Sequence, residues 1–295
     1  MLRVFAPAKI NLTLQVGPPG GDGMHPLQSV VAFADVGDWV EVAPSEGLTL
    51  AMDGPFAPML TQDEDNLVLR AARLLAAEGQ VRAGAALRLS KHLPVASGIG
   101  GGSSDAAAAL KALNQLWALD LDVAALAQLG RRLGADVPVC LGARSAWMTG
   151  AGEQVAALAL PEMDVVLVNP LRPAPTAQVF QRFDAMKLGA DFEAREAPAW
   201  RSVEEVVTGL AELGNDLAAP ARFVTPEIDD VAAALGLHPL VRVAFLSGSG
   251  ATMVGVVREA AHAHHVARDI LSAHPAWWVA PARLGAALDA TKAGV

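Results

Sequence analysis

The sequence predicts a mixed α/β (α+β) fold in two parts, and three observations carry that prediction. Strand-like and helix-like hydrophobic periods alternate along the chain. A glycine-rich turn near residue 100 abuts an alanine-rich helical segment. The 295 residues, 53% hydrophobic and 18% charged, suffice for two domains of ordinary size, each with its own core. That balance lies far from the composition of disordered chains.

Residues 10–16 alternate apolar and polar side chains at the strand period, and residues 27–42 have the apolar, β-branched character of paired strands. Between them, Pro18-Pro19-Gly20-Gly21-Asp22-Gly23 cannot continue a strand and reads as a mobile connection. From Asn66 to Glu78, Leu67, Ala71, Leu74 and Leu75 share a helical stripe, with Asp65 as the expected N-cap and Gly79 as the stop. Residues 86–93 read as a strand, followed by a glycine-rich loop and a helix over Asp105–Trp117. Helical patterns start again at Asp122 and around Asp136, before a strand at residues 145–150.

Past Gly152 the pattern changes, so the expected domains are 1–153 and 154–295. The second opens with a buried strand at 163–170 and helices at 175–186 and 201–213, with a polar, poorly patterned piece between the helices. Residues 241–257 then give strand, Gly-Ser-Gly turn and strand, 259–274 a helix, and 276–284 a last strand.

Charge narrows the function. With 22 Lys and Arg against 31 Asp and Glu, the net charge of −9 repels polyanions and argues against a nucleic-acid partner. The longest stretch without a charged residue, Val243–Val257, is too short and too small-sided to span a bilayer. Residues 1–16 lack the apolar block of a secretory signal. A lone Cys140 forms no internal disulfide and fits a reducing cytoplasm.

The most informative stretch is Pro94-Val95-Ala96-Ser97-Gly98-Ile99-Gly100-Gly101-Gly102-Ser103-Ser104-Asp105. So many small residues before a helix let the backbone approach a ligand and aim N–H groups and the positive helix end at an anion, phosphate above all. It is not a Walker A loop, since no Gly-Lys-Ser/Thr follows. Nor is it a dinucleotide fingerprint, since Ser103 stands where a glycine is required. Asp136, in a Gly-Ala-Asp turn, suits either a general base or a helix cap by residue type. Lys9, inside the apolar run Pro-Ala-Lys-Ile-Asn-Leu, is costly to bury unpaired and needs a carboxylate partner. Ser247-Gly248-Ser249-Gly250-Ala251-Thr252 reads as a hairpin turn, His262, His264 and His265 as a solvated helix face, and Trp277 and Trp278 as strand core and surface.

The segment Pro94–Ala107 resembles the second motif of the superfamily of galactokinase, homoserine kinase, mevalonate kinase and phosphomevalonate kinase, with Ile99 in place of Leu. The Gly-Gly-Gly-Ser-Ser-Asp variant is similar to one branch, the 4-diphosphocytidyl-2-C-methyl-D-erythritol kinases of non-mevalonate isoprenoid synthesis. Pro7–Leu12, Asp22–Ser29, Asp65–Leu67, Gly134–Pro138 and Leu246–Thr252 resemble the same branch, in the family's order. The resemblance implies a two-domain small-molecule kinase fold with a glycine-rich phosphate loop and a ferredoxin-like second domain. ATP is the implied phosphoryl donor, Mg²⁺ the implied metal, and the 2-hydroxyl of 4-diphosphocytidyl-2-C-methyl-D-erythritol the implied acceptor.

The resemblance also implies roles. Asp136 accepts the hydroxyl proton, and Lys9 holds that carboxylate and the oxygen in place. Asn66 and the run Pro94, Val95, Ala96, Ser97, Gly98, Ile99, Gly100, Gly101, Gly102, Ser103 and Ser104 bind the nucleotide, with Ser104 the candidate metal ligand through its hydroxyl. Asn11, Met24, His25, Thr176 and Phe180 line the acceptor pocket, Met24 standing where the family has Tyr. The hairpin turn at Ser247 supports the phosphate loop. Two alternatives remain at this stage: a homoserine or mevalonate type of kinase, against which the triple glycine and Asp22–His25 speak, and a catalytically silent nucleotide-binding module, against which retention of both Lys9 and Asp136 speaks.

Overall fold

A computed structural model of the chain describes residues 1–21, 23–60, 65–285 and 288. Asp22 lies outside the described residues.

The chain begins in sheet, in a different cut from the sequence reading. Strand β1 (Leu2–Asn11) covers the Pro7–Asn11 motif, and β2 (Gln15–Val16) is short. Residues 27–45 form one 19-residue strand, β3 (Leu27–Ser45), rather than paired strands. Its length follows from its partners: β1, β2, β5 (Gly84–Ser90), β6 (Ala146–Thr149) and β11 (Trp278–Leu284) all bond to it. Strand β4 (Leu48–Asp53), unassigned from sequence, pairs parallel with β5, and β7 (Gln154–Ala157) makes a hairpin with β6.

Helices α1 (Leu67–Glu78), α2 (Gly101–Leu116), α3 (Val123–Arg131) and α4 (Val137–Gly142) close this part over a core that includes Val31, Phe33, Val40, Leu75, Leu110 and Leu113. Asn66, not Asp65, caps α1, because its side-chain oxygen accepts from the Val68 N–H at 2.9 Å. Helix α2 starts at Gly101, four residues before the expected Asp105, so the glycines and serines occupy its first turn. Buried tertiary contacts of Ser104 and Asp105 hold that turn helical against the weak helix propensity of glycine.

The second part runs β8 (Met163–Asn169), α5 (Thr176–Ala185), α6 (Val203–Leu213), α7 (Ala218–Val224), α8 (Glu227–Gly236), β9 (Val243–Leu246), β10 (Met253–Val256), α9 (Ala260–Ala273) and β11. Its strands lie antiparallel in the order β11-β8-β10-β9, the β-α-β-β-α-β arrangement expected of a ferredoxin-like unit. Helices α7 and α8 are additions to the sequence reading, although Ile228, Val231 and Leu235 of α8 bury one face at helical spacing. The single pair Leu284–Ala34 joins β11 to β3. Leu14 and Val16, from the start of the chain, pack into the second core beside Val166 and Phe183. Among the described residues no helix is long and apolar enough to cross a membrane.

Candidate active site

A cleft of about 1100 Å³ opens between β1, the 94–103 loop, the start of α4, and α5 with the β9–β10 turn. Its centre is set by an irregularity in β1. Pairing with β3 shifts register between Pro7 and Lys9. The Pro7 carbonyl then accepts from the Ser104 hydroxyl at 2.6 Å, and the Lys9 N–H donates to the Ile99 carbonyl at 2.9 Å. A bulge of this kind re-aims side chains next to active sites. Here it stitches the strand to the glycine loop.

The Lys9 side chain, 5% exposed, runs past Gly100 to place Nζ 2.7 Å from Asp136 Oδ2. Gly100 has φ +63°, which favours glycine, and a Cβ there would lie 3.0 Å from Lys9 Cβ and crowd the lysine stem. Asp136 stands at the N-cap position of α4 but makes no side-chain capping bond. Of its two candidate roles, the geometry gives the carboxylate to Lys9, and it faces the cleft at 38% exposure.

The loop rests on the β9–β10 turn. The Ser247 hydroxyl donates to the Gly98 carbonyl at 2.9 Å and accepts from the Asn11 N–H at 3.1 Å. Thr252 donates to the Ser97 carbonyl through both its N–H, at 3.1 Å, and its hydroxyl, at 2.6 Å. Gly98, at φ +75°, packs so tightly that a Cβ would sit 2.7 Å from the Gly250 nitrogen. The implied support is therefore built from hydrogen bonds and backbone contact.

Beneath the first turn of α2 lies a buried ionic group that the sequence reading does not assign. Lys91 Nζ donates to Asp38 Oδ2 and, at 2.7 Å, to Asp105 Oδ2, while Asp38 Oδ1 accepts from the His92 and Leu93 N–H groups. All three side chains are buried, and Asp105 Oδ1 has no hydrogen-bond partner among the described residues. Burial pushes the Asp105 carboxyl up to about 8; attraction to Lys91 opposes this and repulsion from Asp38 adds to it. Burial alone would lower the Lys91 ammonium, but the two carboxylates outweigh it and hold the group above its usual value. One cation shared by two carboxylates leaves Asp105 the less supported. The signal was present: Asp38 and Lys91 sit in apolar strand runs, the same pattern that made Lys9 need a partner.

Of the other expected nucleotide residues, Asn66, Pro94, Val95, Ala96, Ser97, Gly98, Gly100, Gly101, Gly102 and Ser103 line the cleft. Ile99 and Ser104 do not. Ile99 is fully buried in a hydrophobic core, and Ser104 is 1% exposed with its hydroxyl committed to Pro7. On the opposite wall Asn11 donates to the Ser29 hydroxyl at 2.8 Å, and the hydroxyls of Thr176 and Ser249 bond at 2.9 Å. Phe180 and the His25 ring lie 5.0 Å apart, and Met24 is half exposed at the rim. Asp184, missed from sequence, lines the cleft one turn beyond Phe180.

The remaining sequence candidates lie elsewhere. His262 and His265 pair with Glu259 and Asp269 on α9, and among the described residues no three His, Cys, Asp or Glu side chains are placed to hold a metal ion. Trp277 stacks on His274 at 3.8 Å, and Trp278 packs against the core. Cys140 is buried, with its thiol pushed to about 12 chiefly by burial, and is inert.

Residues 66–144, from the cap of α1 to the end of α4, match the family model GHMP kinases N terminal domain. A 4-diphosphocytidyl-2-C-methyl-D-erythritol kinase of Cereibacter sphaeroides (strain ATCC 17025 / ATH 2.4.3) is 48% identical over 286 residues, covering 96% of this chain and 99% of the relative. The chain belongs to the 4-diphosphocytidyl-2-C-methyl-D-erythritol kinase family. A relative of the same name from Ruegeria pomeroyi is 48% identical over 286 residues, again across 96% of the chain and 99% of the relative. A solved 4-(cytidine 5'-diphospho)-2C-methyl-D-erythritol kinase superposes with TM-score 0.76 at 33% identity, covering 97% of this chain and all of that one. Mevalonate kinase of L. major, at 16% identity and TM-score 0.70, shares the fold with this kinase family member.

Proposed function

We propose that this chain transfers the γ-phosphoryl group of ATP to the 2-hydroxyl of 4-diphosphocytidyl-2-C-methyl-D-erythritol, giving the 2-phosphate and ADP for isoprenoid precursor synthesis. The observation that carries the mechanism is the buried Lys9 bonded to a cleft-facing Asp136 beside the glycine loop. Asp136 accepts the acceptor hydroxyl's proton as that oxygen bonds to the γ-phosphorus, and the bond from γ-phosphorus to the β-γ bridging oxygen breaks to release ADP. Lys9 fixes the carboxylate and sets a positive charge beside the attacking oxygen.

The loop fits a triphosphate on a structural test. Gly98, Gly100, Gly101 and Gly102 line the cleft at the N-terminal end of α2, and the free N–H groups and positive end of a helix start favour an anion. Asn66 belongs to the base end of this nucleotide region. For Mg²⁺ the chain supplies hard oxygen and no closed cage among the described residues. Ser104, the expected ligand, has its hydroxyl committed to Pro7, so Ser103, which lines the cleft on the same turn, would be the protein oxygen to hold the ion. Mg²⁺ held there would supply charge neutralisation for the phosphoryl transfer. Asn11, Met24, His25, Thr176 and Phe180 form the acceptor side, the cytosine packing on Phe180 and Met24.

ADP release on adding each alcohol tests the assignment. Turnover with the cytidylylated alcohol, and none with homoserine or mevalonate, is expected. Turnover with either of those instead reassigns the chain within the fold, and no turnover with any of the three favours a silent nucleotide-binding module.

A further inference from the structure

We propose that Asp184 is a positioning residue for the base end of the acceptor, acting through His25; the inference rests on the cytidine reading above and deepens it. The segment carrying His25 is fastened at its root, where the Gly17 N–H donates to the Pro26 carbonyl at 2.8 Å and the Gly20 N–H to the Met24 carbonyl at 2.7 Å. His25 Nδ1 lies 2.8 Å from the Gly17 carbonyl oxygen. A carbonyl only accepts, so Nδ1 carries a proton. This orientation sends Nε2 toward Asp184, with Oδ1 at 3.4 Å; a carboxylate likewise only accepts, so this contact is an ion pair with the ring protonated on both nitrogens.

The faces of the ring are held as well. Phe180 lies against it at 5.0 Å with a 46° tilt, and Phe183 meets it edge-on at 5.7 Å. The imidazole is thus 9% exposed and bounded on both nitrogens by protein. It cannot offer a nitrogen to a base without giving up Gly17 or Asp184. The ring is therefore a post in the acceptor wall, set against Phe180 and Phe183.

Asp184 makes that post rigid. Phe180 and Asp184 stand four residues apart on α5 and therefore share a face, and both line the cleft. Among the described residues Asp184 is the carboxylate within ion-pair distance of His25. Its own side chain is 45% exposed, so removing it opens no core cavity. Without it the ring is anchored only at Nδ1, and the base platform loosens while the phosphate loop on the opposite wall is untouched.

Calorimetric titration of the full chain with cytidine 5′-diphosphate and, separately, with ATP tests this in Asp184→Ala and Asp184→Asn. Expected is about tenfold weaker cytidine diphosphate binding in Asp184→Ala, a loss on the scale of one contact to a charged group, with ATP affinity within about twofold. Asp184→Asn, which keeps an acceptor oxygen, should recover most of the loss. In steady state the KM for the cytidylylated alcohol should rise while kcat holds. Unchanged cytidine diphosphate affinity in Asp184→Ala, or an equal loss for both nucleotides, overturns the assignment. A wild type that binds ATP but not cytidine diphosphate, and does not phosphorylate the cytidylylated alcohol, overturns the functional reading itself and this inference with it.

Discussion

Lys91 Nζ lies 3.0 Å from where a side chain would begin on Gly101, and that ammonium cannot swing away, because Asp38 and Asp105 grip it. Two of the three consecutive glycines are thereby explained. Gly100 clears the stem of Lys9, Gly101 clears the head of Lys91, and Gly102 faces Leu67 at an ordinary 3.4 Å. Positive φ is confined to Gly98 and Gly100 in this loop's glycines, so Gly101 is required for space rather than for its backbone angle.

Gly101→Val should therefore disturb the buried charges as well as the phosphate site. Overpacking of this kind costs about 1–3 kcal/mol. Urea unfolding should show that loss and ATP titration a weaker affinity; a variant with parental stability and affinity would mean that Lys91 yields freely.

Lys91→Met removes the cation from between Asp38 and Asp105, and breaking a buried pair costs about 3–5 kcal/mol. The companion variant Asp105→Asn tests the proton. The folded Asp105 carboxyl is raised from 3.8 to about 8. Between these values the folded state binds a proton that the unfolded state has released, so stability falls as pH rises through the window. Unfolding measured near about pH 5 and about pH 8 should give a shallower loss in Asp105→Asn than in wild type. Equal slopes would show that Asp105 holds no such proton.

On the proposed chemistry, Asp136→Asn keeps shape and loses the basic oxygen, and loss of a general base lowers rate about 10²- to 10⁴-fold. Binding of both substrates should change little. A folded variant with near-parental kcat removes Asp136 from the role.

At the acceptor wall, Phe180→Ala should weaken the cytidylylated substrate by about 1–3 kcal/mol through lost stacking. His25→Ala should also weaken it, yet leave the preference for cytosine over a uracil analogue unchanged, because both ring nitrogens face protein groups. Met24→Tyr, which adds an aromatic ring at the rim, should be neutral or favourable. Comparing kcat/KM for the two bases in each variant separates these effects. Lost discrimination in His25→Ala would show that the ring reads the base.

Much of this was legible in the chain. The run of small residues abutting a helix start pointed to an anion, and a lysine in an apolar strand announced that it needed a carboxylate. Hydrophobic period located α1, α3, α5, α6 and α9, because each buries one face in its own core. Motif order supplied the family.

Other features depend on residues far apart in sequence, and local pattern is blind to them. Helix α2 begins at Gly101 rather than Asp105 because Pro7, Asp38 and Lys91 hold its first turn. The length of β3 is set by strands from both halves of the chain. Residue pattern determined that Lys9 must be paired, and the family motifs implied Asp136 as its partner; the tertiary structure supplied the geometry, a 2.7 Å contact beside an irregularity in β1, with the Asp136 side chain making no capping bond. It likewise joined His25 to Asp184, since a partner's identity is fixed by distance in space, which neither composition nor period encodes.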